Sequence, residues 1–419
     1  MELLGKQSTK ALPYRWVVFC LAYLAFFVQY TIYLSWNPFI PMASQLFNLT
    51  MQQTGNIVAA VAIGRILLQI PGGIVVDRFS ARNILAISLI LLGFCTFGAG
   101  LSGTYGALFF SQFCIGASGV VVWPLCIKLV VDWFPGHQRD LIAGLLNTGT
   151  TLAVASINAL IPFAITTLDW NSGFYILAAA AAAIALAVLV IMKSAPSPAE
   201  SAEAVPKNKP KLNQAHIVTL LQQRTFWYGL LVYVGGVYTS WGLNTWLITY
   251  LIQQAGISTQ TAGSMMFLFG ICGAAGMPFV GMLTKGEPQK RCMVIAVILG
   301  VLTIMLLGLP WIQNPAILWG YVAVLGIAAF SYMGPVNMLI TNLTEMHLFG
   351  TAMAIIVCVW QLSSILQSLG IGYLLDHSAG SGTYHMIFGI LSAGSLLGCG
   401  AAILLRAKFL SRAETSKGM

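Results

Sequence analysis

The feature that most constrains this chain is a series of twelve apolar runs, each about as long as a lipid bilayer is thick. The hydrocarbon core of a bilayer is roughly 30 Å thick and an α-helix rises about 1.5 Å per residue, so a spanning helix needs about 20 apolar residues. Only 7% of the residues are charged, whereas about a quarter are charged in a soluble chain. The sequence therefore predicts an all-α membrane protein with twelve transmembrane helices, at 16–37, 53–77, 82–101, 105–132, 141–166, 172–193, 226–251, 260–284, 291–311, 315–341, 349–374 and 384–406.

The twelve runs form two sets of six, separated by one polar stretch that contains AEAVPKNKPKLNQ. Pro, Lys and Ala without hydrophobic periodicity are typical of a linker. We therefore expect a first six-helix half at residues 1–193, a cytosolic linker at 194–224 and a second six-helix half at 225–419.

The two halves resemble each other in sequence. Tyr33-Leu-Ser-Trp36 recurs as Tyr238-Thr-Ser-Trp241, and Gly116 recurs 210 residues later as Gly326. Together with the six-plus-six pattern, these matches indicate two parallel repeats, an arrangement typical of transporters that bind substrate between two halves.

The positive charges predict the orientation in the membrane. If the N-terminus is cytosolic, 18 of the 20 lysines and arginines fall in inner loops and tails, and the other two, Arg65 and Lys128, lie inside predicted spans. The positive-inside rule then places both termini in the cytosol. The net charge of +9 is explained by this topology and requires no nucleic-acid partner. The short outer loops favour a multi-pass protein of a bacterial inner membrane.

Groups that could perform catalysis are not clustered in the sequence. The eight cysteines form no CxxC pair, the five histidines fall in loops or near helix ends, and all eleven acids lie in loops, tails or helix ends. A membrane enzyme that handles phosphates through a metal needs clustered acids. We expect no enzyme activity, no metal site and no cofactor. Proton-driven transporters carry titratable groups inside the bundle, so proton coupling would have to use acids near the interfaces, Asp132, Glu345 or Asp376, or the substrate itself.

Two segments resemble signatures of the major facilitator superfamily. One begins at Gly73 at the end of the second span and the other follows the fourth span: they read Gly73-Ile-Val-Val-Asp77-Arg78-Phe-Ser-Ala-Arg82 and Asp132-Trp-Phe-Pro135-Gly-His-Gln-Arg139. The resemblance implies a secondary transporter with the twelve-helix fold of that superfamily. Gly73 would allow close helix approach, Asp77 would face the N-terminal end of a neighbouring helix, and the cations would lie at the headgroups. The resemblance assigns gating or conformational roles to Gly73, Asp77, Arg78, Arg82, Asp132 and Arg139.

The chain departs from the superfamily pattern at several positions. Ser80 replaces the second glycine of the first signature. The segment of the second half that corresponds to this signature ends in Lys285, where an acid is expected. Gln112 stands where many proton-coupled members carry an arginine, which argues against proton antiport. The opening RWVVFCLAYLAFFVQY and the residues Gln69 to Gly73 are also similar to organic-anion:cation symporters.

Arg65 lies near the middle of the second predicted span, about 18 Å of helix from Asp77. A guanidinium cannot reach the headgroups from that depth. We interpret Arg65 as the residue that binds the negative group of a substrate; the alternative is a structural arginine bonded to helix carbonyls and Gln69. Nitrate/nitrite porters of the superfamily also place an arginine in the second span, and they pair it with one in the eighth span, where this chain has none. Lys128 lies one turn before Asp132, where an ion pair or snorkelling would satisfy it.

Aromatic and amide side chains on spans one, five, seven, ten and eleven could complete the site. Packing between helices is the alternative explanation for each of them. Tyr33 and Tyr238 are favoured because their places are related by the repeat. The complete set of candidates is Gln29, Tyr33, Trp36, Asn147, Tyr238, Trp241, Asn244, Tyr332, Asn337, Trp360 and Gln361.

The sequence as a whole predicts a secondary active or facilitative transporter of a small organic anion, a monocarboxylate in particular, that works by alternating access. Its partners would be the small-molecule substrate, the lipid bilayer and either protons or a counter-substrate, and we expect a monomer. The alternatives are a carrier of neutral or zwitterionic, amino acid-like solutes and a multidrug exporter.

Overall fold

In a computed structural model, the chain is described over residues 2–193, 221–284, 288–312, 314–344, 349–378 and 382–417. These residues are almost entirely helical. The stretch 194–220 lies outside the described residues, so the linker expected at 194–224 is not described over most of its length. The loop residues Lys285 and Glu345 lie outside them as well.

The helices follow one another with short connections. In the first part of the chain they are α1 (Glu2–Tyr33), α2 (Ile40–Leu46), α3 (Met51–Arg78), α4 (Ala81–Leu101), α5 (Tyr105–Gly119), α6 (Val122–Trp133), α7 (Gly136–Thr167) and α8 (Ser172–Ile191). In the second part they are α9 (Arg224–Gln253), α10 (Thr259–Leu283), α11 (Pro288–Gly308), α12 (Pro315–Ser331), α13 (Met333–Leu343), α14 (Phe349–His377) and α15 (Thr383–Lys417).

The helices coincide with the twelve predicted spans. Within the described residues, ten helical segments are long and apolar enough to cross a membrane, and the other two predicted spans are α3 and α9. Large apolar side chains point away from the protein on several helices: Phe94 is 75% exposed, Val190 74%, Ile304 71% and Leu366 70%. Such side chains suit contact with lipid, and the chain has the all-α membrane fold that the sequence predicts.

The fourth and tenth predicted spans are each broken into two helices, which corrects the sequence prediction of continuous spans. α5 ends at Gly119 and α6 begins at Val122, whereas α12 and α13 are separated at Tyr332. Each second helix carries a proline in its first turn, Pro124 or Pro335. Proline has no N–H and its ring clashes with the carbonyl four residues earlier, so it interrupts a helix just before its own position.

The chain forms two compact units. The first consists of Met1–Trp36 and Ala60–Lys209, and the second consists of Asn37–Ala59 and Pro210–Met419. In the first unit α4 packs on α8 and α1 packs on α7, while in the second α15 packs on α9 and α11, and α10 packs on α12. The helix α3 is shared, because its first nine residues belong to the second unit and the others to the first.

The same glycine contact occurs in both units. A Cβ added at Gly116 of α5 would lie 2.0 Å from the backbone oxygen of Val61 in α3, and one added at Gly326 of α12 would lie 2.1 Å from the backbone oxygen of Phe269 in α10. Small residues allow helix backbones to approach this closely in membranes. The offset of 210 residues seen in the sequence therefore corresponds to equivalent helix crossings in the two repeats.

Candidate functional site

The cation Arg65 contacts an aromatic ring in the first unit. Arg65 lies 14 residues after Met51 and 13 before Arg78, so about 20 Å of helix separates it from either end of α3. Its side chain is half-buried, and its guanidinium carbon lies 5.0 Å from the centre of the Tyr33 ring on α1. A guanidinium over an aromatic face gains a cation–π attraction, which is stronger where water is excluded.

Two backbone features of α5 hold Tyr33 in this position. Its hydroxyl donates a hydrogen bond of 3.2 Å to the backbone oxygen of Gly116, and the tyrosine is 6% exposed. A Cβ at Gly119 would lie 2.6 Å from the Tyr33 hydroxyl oxygen. The glycines of α5 therefore make room for Tyr33, and Tyr33 in turn supports the guanidinium of Arg65.

Two buried amides of the first unit have unsatisfied polar atoms. Among the described residues, Gln29 Oε1 and both amide atoms of Gln112 have no hydrogen-bond partner, and the two side chains are 2% and 0% exposed. Leaving such a group unpaired costs about 1–3 kcal/mol, so a buried amide of this kind calls for a ligand or an ordered water. Gln29 lies one turn before Tyr33 on α1. The sequence predicts a site role for Gln29 and none for Gln112.

The structure gives Asn147 and Lys128 local partners. Asn147 accepts a hydrogen bond from Trp123 Nε1 at 3.4 Å and donates to Ala143 O at 3.0 Å. The Lys128 ammonium donates to the backbone oxygen of Val76 at 2.7 Å. Asn147 is thus bonded to Trp123 and Ala143, and Lys128 joins α6 to the end of α3.

The second unit holds a separate group of predicted residues. The rings of Trp241 on α9 and Trp360 on α14 lie 6.2 Å apart. Asn244 is 0% exposed and neither of its amide atoms has a hydrogen-bond partner in the described part of the chain, while Gln361 is 2% exposed and its Nε2 is likewise unpaired there. The second unit therefore offers neutral hydrogen-bonding groups and aromatic faces.

Tyr238 does not occupy a place equivalent to that of Tyr33, in contrast to the prediction from the repeat. Its ring lies against α15, where a Cβ at Gly394 would be 2.6 Å from Tyr238 Cδ1. The packing counterpart of Tyr33 is Tyr332, at the break between α12 and α13. The Tyr332 hydroxyl lies 3.1 Å from Ser240 Oγ on α9, and its ring covers Gly236. In the first unit the tyrosine extends from the first span to the fourth, and in the second it extends from the tenth span to the seventh.

The gating candidates lie at the ends of α3, α4, α6 and α7. At Gly73 a Cβ would meet nothing within 4 Å, but at Gly72 it would lie 2.7 Å from Val121 Cγ1, so the close approach expected at Gly73 occurs one residue earlier. Arg82 donates to the backbone oxygen of Leu189 on α8. Asp132 is half-buried in the last turn of α6. The side chains of Asp77, Arg78 and Arg139 lie outside the described set.

Among the described residues, no group of three or more His, Cys, Asp or Glu side chains could hold a metal ion. The chemistry that these groups offer is recognition: the first unit supplies a cation and neutral amides, and the second unit supplies neutral amides.

Comparison with known proteins identifies relatives whose names describe transporters of organic acids. The chain is 23% identical over 290 residues to a probable galactarate/D-glucarate transporter of Bacillus subtilis (59% of this chain, 61% of the relative). It is 22% identical over 256 residues to a hexuronate transporter of the same organism (60% of each chain), and 22% identical over 277 residues to a probable sulfoacetate transporter of Cupriavidus necator (64% and 63%). The chain thus spans about three fifths of the length of these curated relatives.

The fold has a close structural counterpart. The crystal structure of a bacterial homologue of the human lysosomal transporter Spinster, in an inward-facing and occupied conformation, superimposes with a TM-score of 0.77 at 15% identity, over 95% of this chain and 98% of that one. The sequence profile of the Major Facilitator Superfamily matches residues 18–368. These proteins are transporters and not enzymes, as the sequence predicts. With the helices and the repeat in agreement with the profile, the chain belongs to the Major Facilitator Superfamily.

Proposed function

We propose that this protein is a secondary carrier of a small organic anion, in which Arg65 binds the negative group of the substrate. The observation that carries the proposal is a guanidinium held near the middle of a membrane helix, 5.0 Å from the ring of Tyr33. The ring supports the guanidinium through its π-face, and a carboxylate binds a guanidinium through two parallel N–H donors. A cation at this depth is costly in lipid and is a functional residue by default.

The relatives favour the same substrate class. Their names describe carriers of galactarate and D-glucarate, of hexuronates and of sulfoacetate, all of which are organic anions. Galactarate and D-glucarate carry two carboxylates and a hexuronate carries one. Because Arg65 and Lys128 are the two cations that lie away from the ends of the predicted spans, and Lys128 is bonded to Val76 O, we favour a monocarboxylate.

The buried amides favour an acid that also carries hydroxyl groups. In the first unit, which also holds Arg65, Gln29 Oε1 and both amide atoms of Gln112 have no hydrogen-bond partner among the described residues, although the two side chains are 2% and 0% exposed. A hydroxyl group both donates and accepts hydrogen bonds and so satisfies either end of an amide. Sugar acids such as hexuronates offer a carboxylate and several hydroxyls in one molecule.

The proposal also includes four features that the sequence predicts. These are the boundaries of the two halves at 1–193 and 225–419 with a linker at 194–224, the cytosolic termini, the bacterial inner membrane and the monomeric state. Transport would proceed by alternating access. Exchange, facilitated transport, or symport in which a proton balances the charge of the substrate fits a chain whose acids all lie outside the middle of the spans.

A thermal-shift screen on the purified protein tests the assignment. The compounds are glucuronate, galactarate, sulfoacetate and lactate, with glucose and alanine as a neutral and a zwitterionic control. A ligand at about 100 times its Kd stabilises the folded state by about 2.7 kcal/mol. At about 2 °C per kcal/mol for a large chain, the midpoint rises by about 5 °C.

The variants are Arg65→Gln and the matched control Lys128→Gln, which removes the other cation of the spans. We expect one carboxylate to stabilise the native protein and the Lys128 variant but not the Arg65 variant. A neutral or zwitterionic compound that stabilises the native protein and the Arg65 variant equally would show that Arg65 is structural and that the substrate is not an anion.

A further inference from the structure

A carboxylate at the end of α14 caps the start of α3. Asp376 accepts two hydrogen bonds from successive backbone amides, Met51 N to Oδ1 and Gln52 N to Oδ2, each 2.7 Å long. The first N–H groups of a helix have no partner within the helix, and the helix dipole makes that end positive. An ionised carboxylate that bridges two such amides makes short, charge-assisted hydrogen bonds.

The two helix backbones approach each other closely at the same place. A Cβ at Gly55 of α3 would lie 2.4 Å from the backbone oxygen of Ser368 in α14, and one at Gly372 would lie 2.7 Å from the backbone oxygen of Met51. Each helix thus supplies a glycine where any larger residue would force the backbones apart. The capping contact and the two glycine contacts form one junction, all of it within the second unit.

The junction lies on the helix that both units share. α3 leaves the second unit after Ala59 and carries Arg65 in the first unit, 14 residues after Met51, or about 21 Å along the helix. A rearrangement that moves the two units must therefore bend α3 near Ala59 or open the junction.

The strength of the cap suits a contact that forms and breaks repeatedly. Asp376 and Gln52 are exposed, so the carboxylate and the amides regain water when the contact opens. An exposed cap of this kind changes an equilibrium about tenfold, which is enough to bias two states without trapping either of them.

We propose that Asp376 is the latch of a gate formed by the first turns of α3 and the last turns of α14, on the membrane face that the predicted topology makes the outer one. The ionised carboxylate holds the gate closed, and its loss favours the open state. The inference rests on the proposed function in one respect, that the protein is a carrier that must open at this face; it does not depend on Arg65 or on the nature of the substrate.

Hydrogen exchange followed by mass spectrometry on the purified full-length protein tests the gate without any ligand. The variants are Asp376→Asn, which removes the charge, and Gly372→Ala, which forces the backbones apart. Their matched controls are Asp169→Asn, an exposed acid of another loop, and Gly370→Ala, where a Cβ meets nothing within 4 Å. The Asp376→Glu variant restores the charge.

We expect the Asp376→Asn and Gly372→Ala variants to exchange about tenfold faster in peptides from both sides of the junction, residues 51–59 and 362–377, and in the α3 peptide that contains Arg65. Asp376→Glu should exchange more slowly than Asp376→Asn, and the controls should match the native protein. Faster exchange confined to the first turn of α3 would show a local helix cap and overturn the gate. Unchanged exchange in both variants would overturn it as well. Because no transported compound is used, the exchange result can be interpreted even if the substrate is not an anion.

Discussion

Replacing Gly116 by alanine tests the helix crossing that supports Tyr33 and Arg65. The new Cβ would lie 2.0 Å from Val61 O, and real Cβ contacts are no shorter than about 3.0 Å, so α3 and α5 must separate by about 1 Å. Forcing extra atoms into a packed interface costs about 1–3 kcal/mol, occasionally more. Alanine is about 1 kcal/mol more favourable than glycine inside a helix, and this gain partly hides the loss. The equivalent crossing gives the same expectation for Gly326→Ala.

The matched controls remove the effect of helix propensity. Gly106→Ala lies on α5 and Gly320→Ala on α12, and at both positions a Cβ would meet nothing within 4 Å. In thermal unfolding in detergent, we expect the Gly116 variant to melt about 2–6 °C below the Gly106 variant, at about 2 °C per kcal/mol, and the Gly326 variant to fall similarly below the Gly320 variant. Equal melting temperatures within each pair would refute the assigned helix contact.

Two further predictions concern single polar groups. Tyr33→Phe removes the hydrogen bond to Gly116 O but keeps the ring beside Arg65, so the protein should lose about 1 kcal/mol of stability and keep its ligand-induced thermal shift. Tyr33→Ala should lose both the stability and the ligand-induced shift. A Tyr33→Phe variant without a ligand-induced shift would show that the hydroxyl binds the substrate. Asn244→Leu removes an amide with two unpaired atoms and should raise the melting temperature of the ligand-free protein. The rise should be larger than for Asn158→Leu, because the native Asn158 Nδ2 already donates to Val154 O. A lower melting temperature for Asn244→Leu would show that the amide is satisfied in the folded protein.

The part of the fold that the sequence predicts follows mainly from the length and spacing of its apolar runs. Twelve runs of about 20 apolar residues leave few alternatives, because every backbone polar group in lipid must be satisfied within its own helix. The breaks before Pro124 and Pro335 were missed although both prolines are visible in the sequence. A proline in a membrane helix is tolerated with or without a break, depending on what the neighbouring helices supply.

The candidate site follows from residue types in the sequence, and the contacts between its residues do not. The depth of Arg65 follows from its distance to the helix ends, and this part could be read directly. The support of Tyr33 by Gly116 and Gly119 joins positions more than 80 residues apart. The equivalence of Tyr33 and Tyr238 fails because a short sequence match between two spans does not fix how each helix is rotated about its axis. Lys128 illustrates the same limit, because its partner Val76 O is a backbone atom, which leaves no trace in the residue types.

The division of α3 between the two compact units has a consequence for cutting the molecule apart. A cut in the polar stretch between Ile191 and Arg224 would separate the chain near its midpoint, but the second fragment would lack residues 37–59, which complete the second unit. Asp376 and the glycine surface at Gly372 would then face solvent or lipid without α3. Fragments made separately should therefore be unstable, and the second should be recovered intact only when both are synthesised in the same cell, so that the two pieces behave as a complementing pair rather than as two independent proteins.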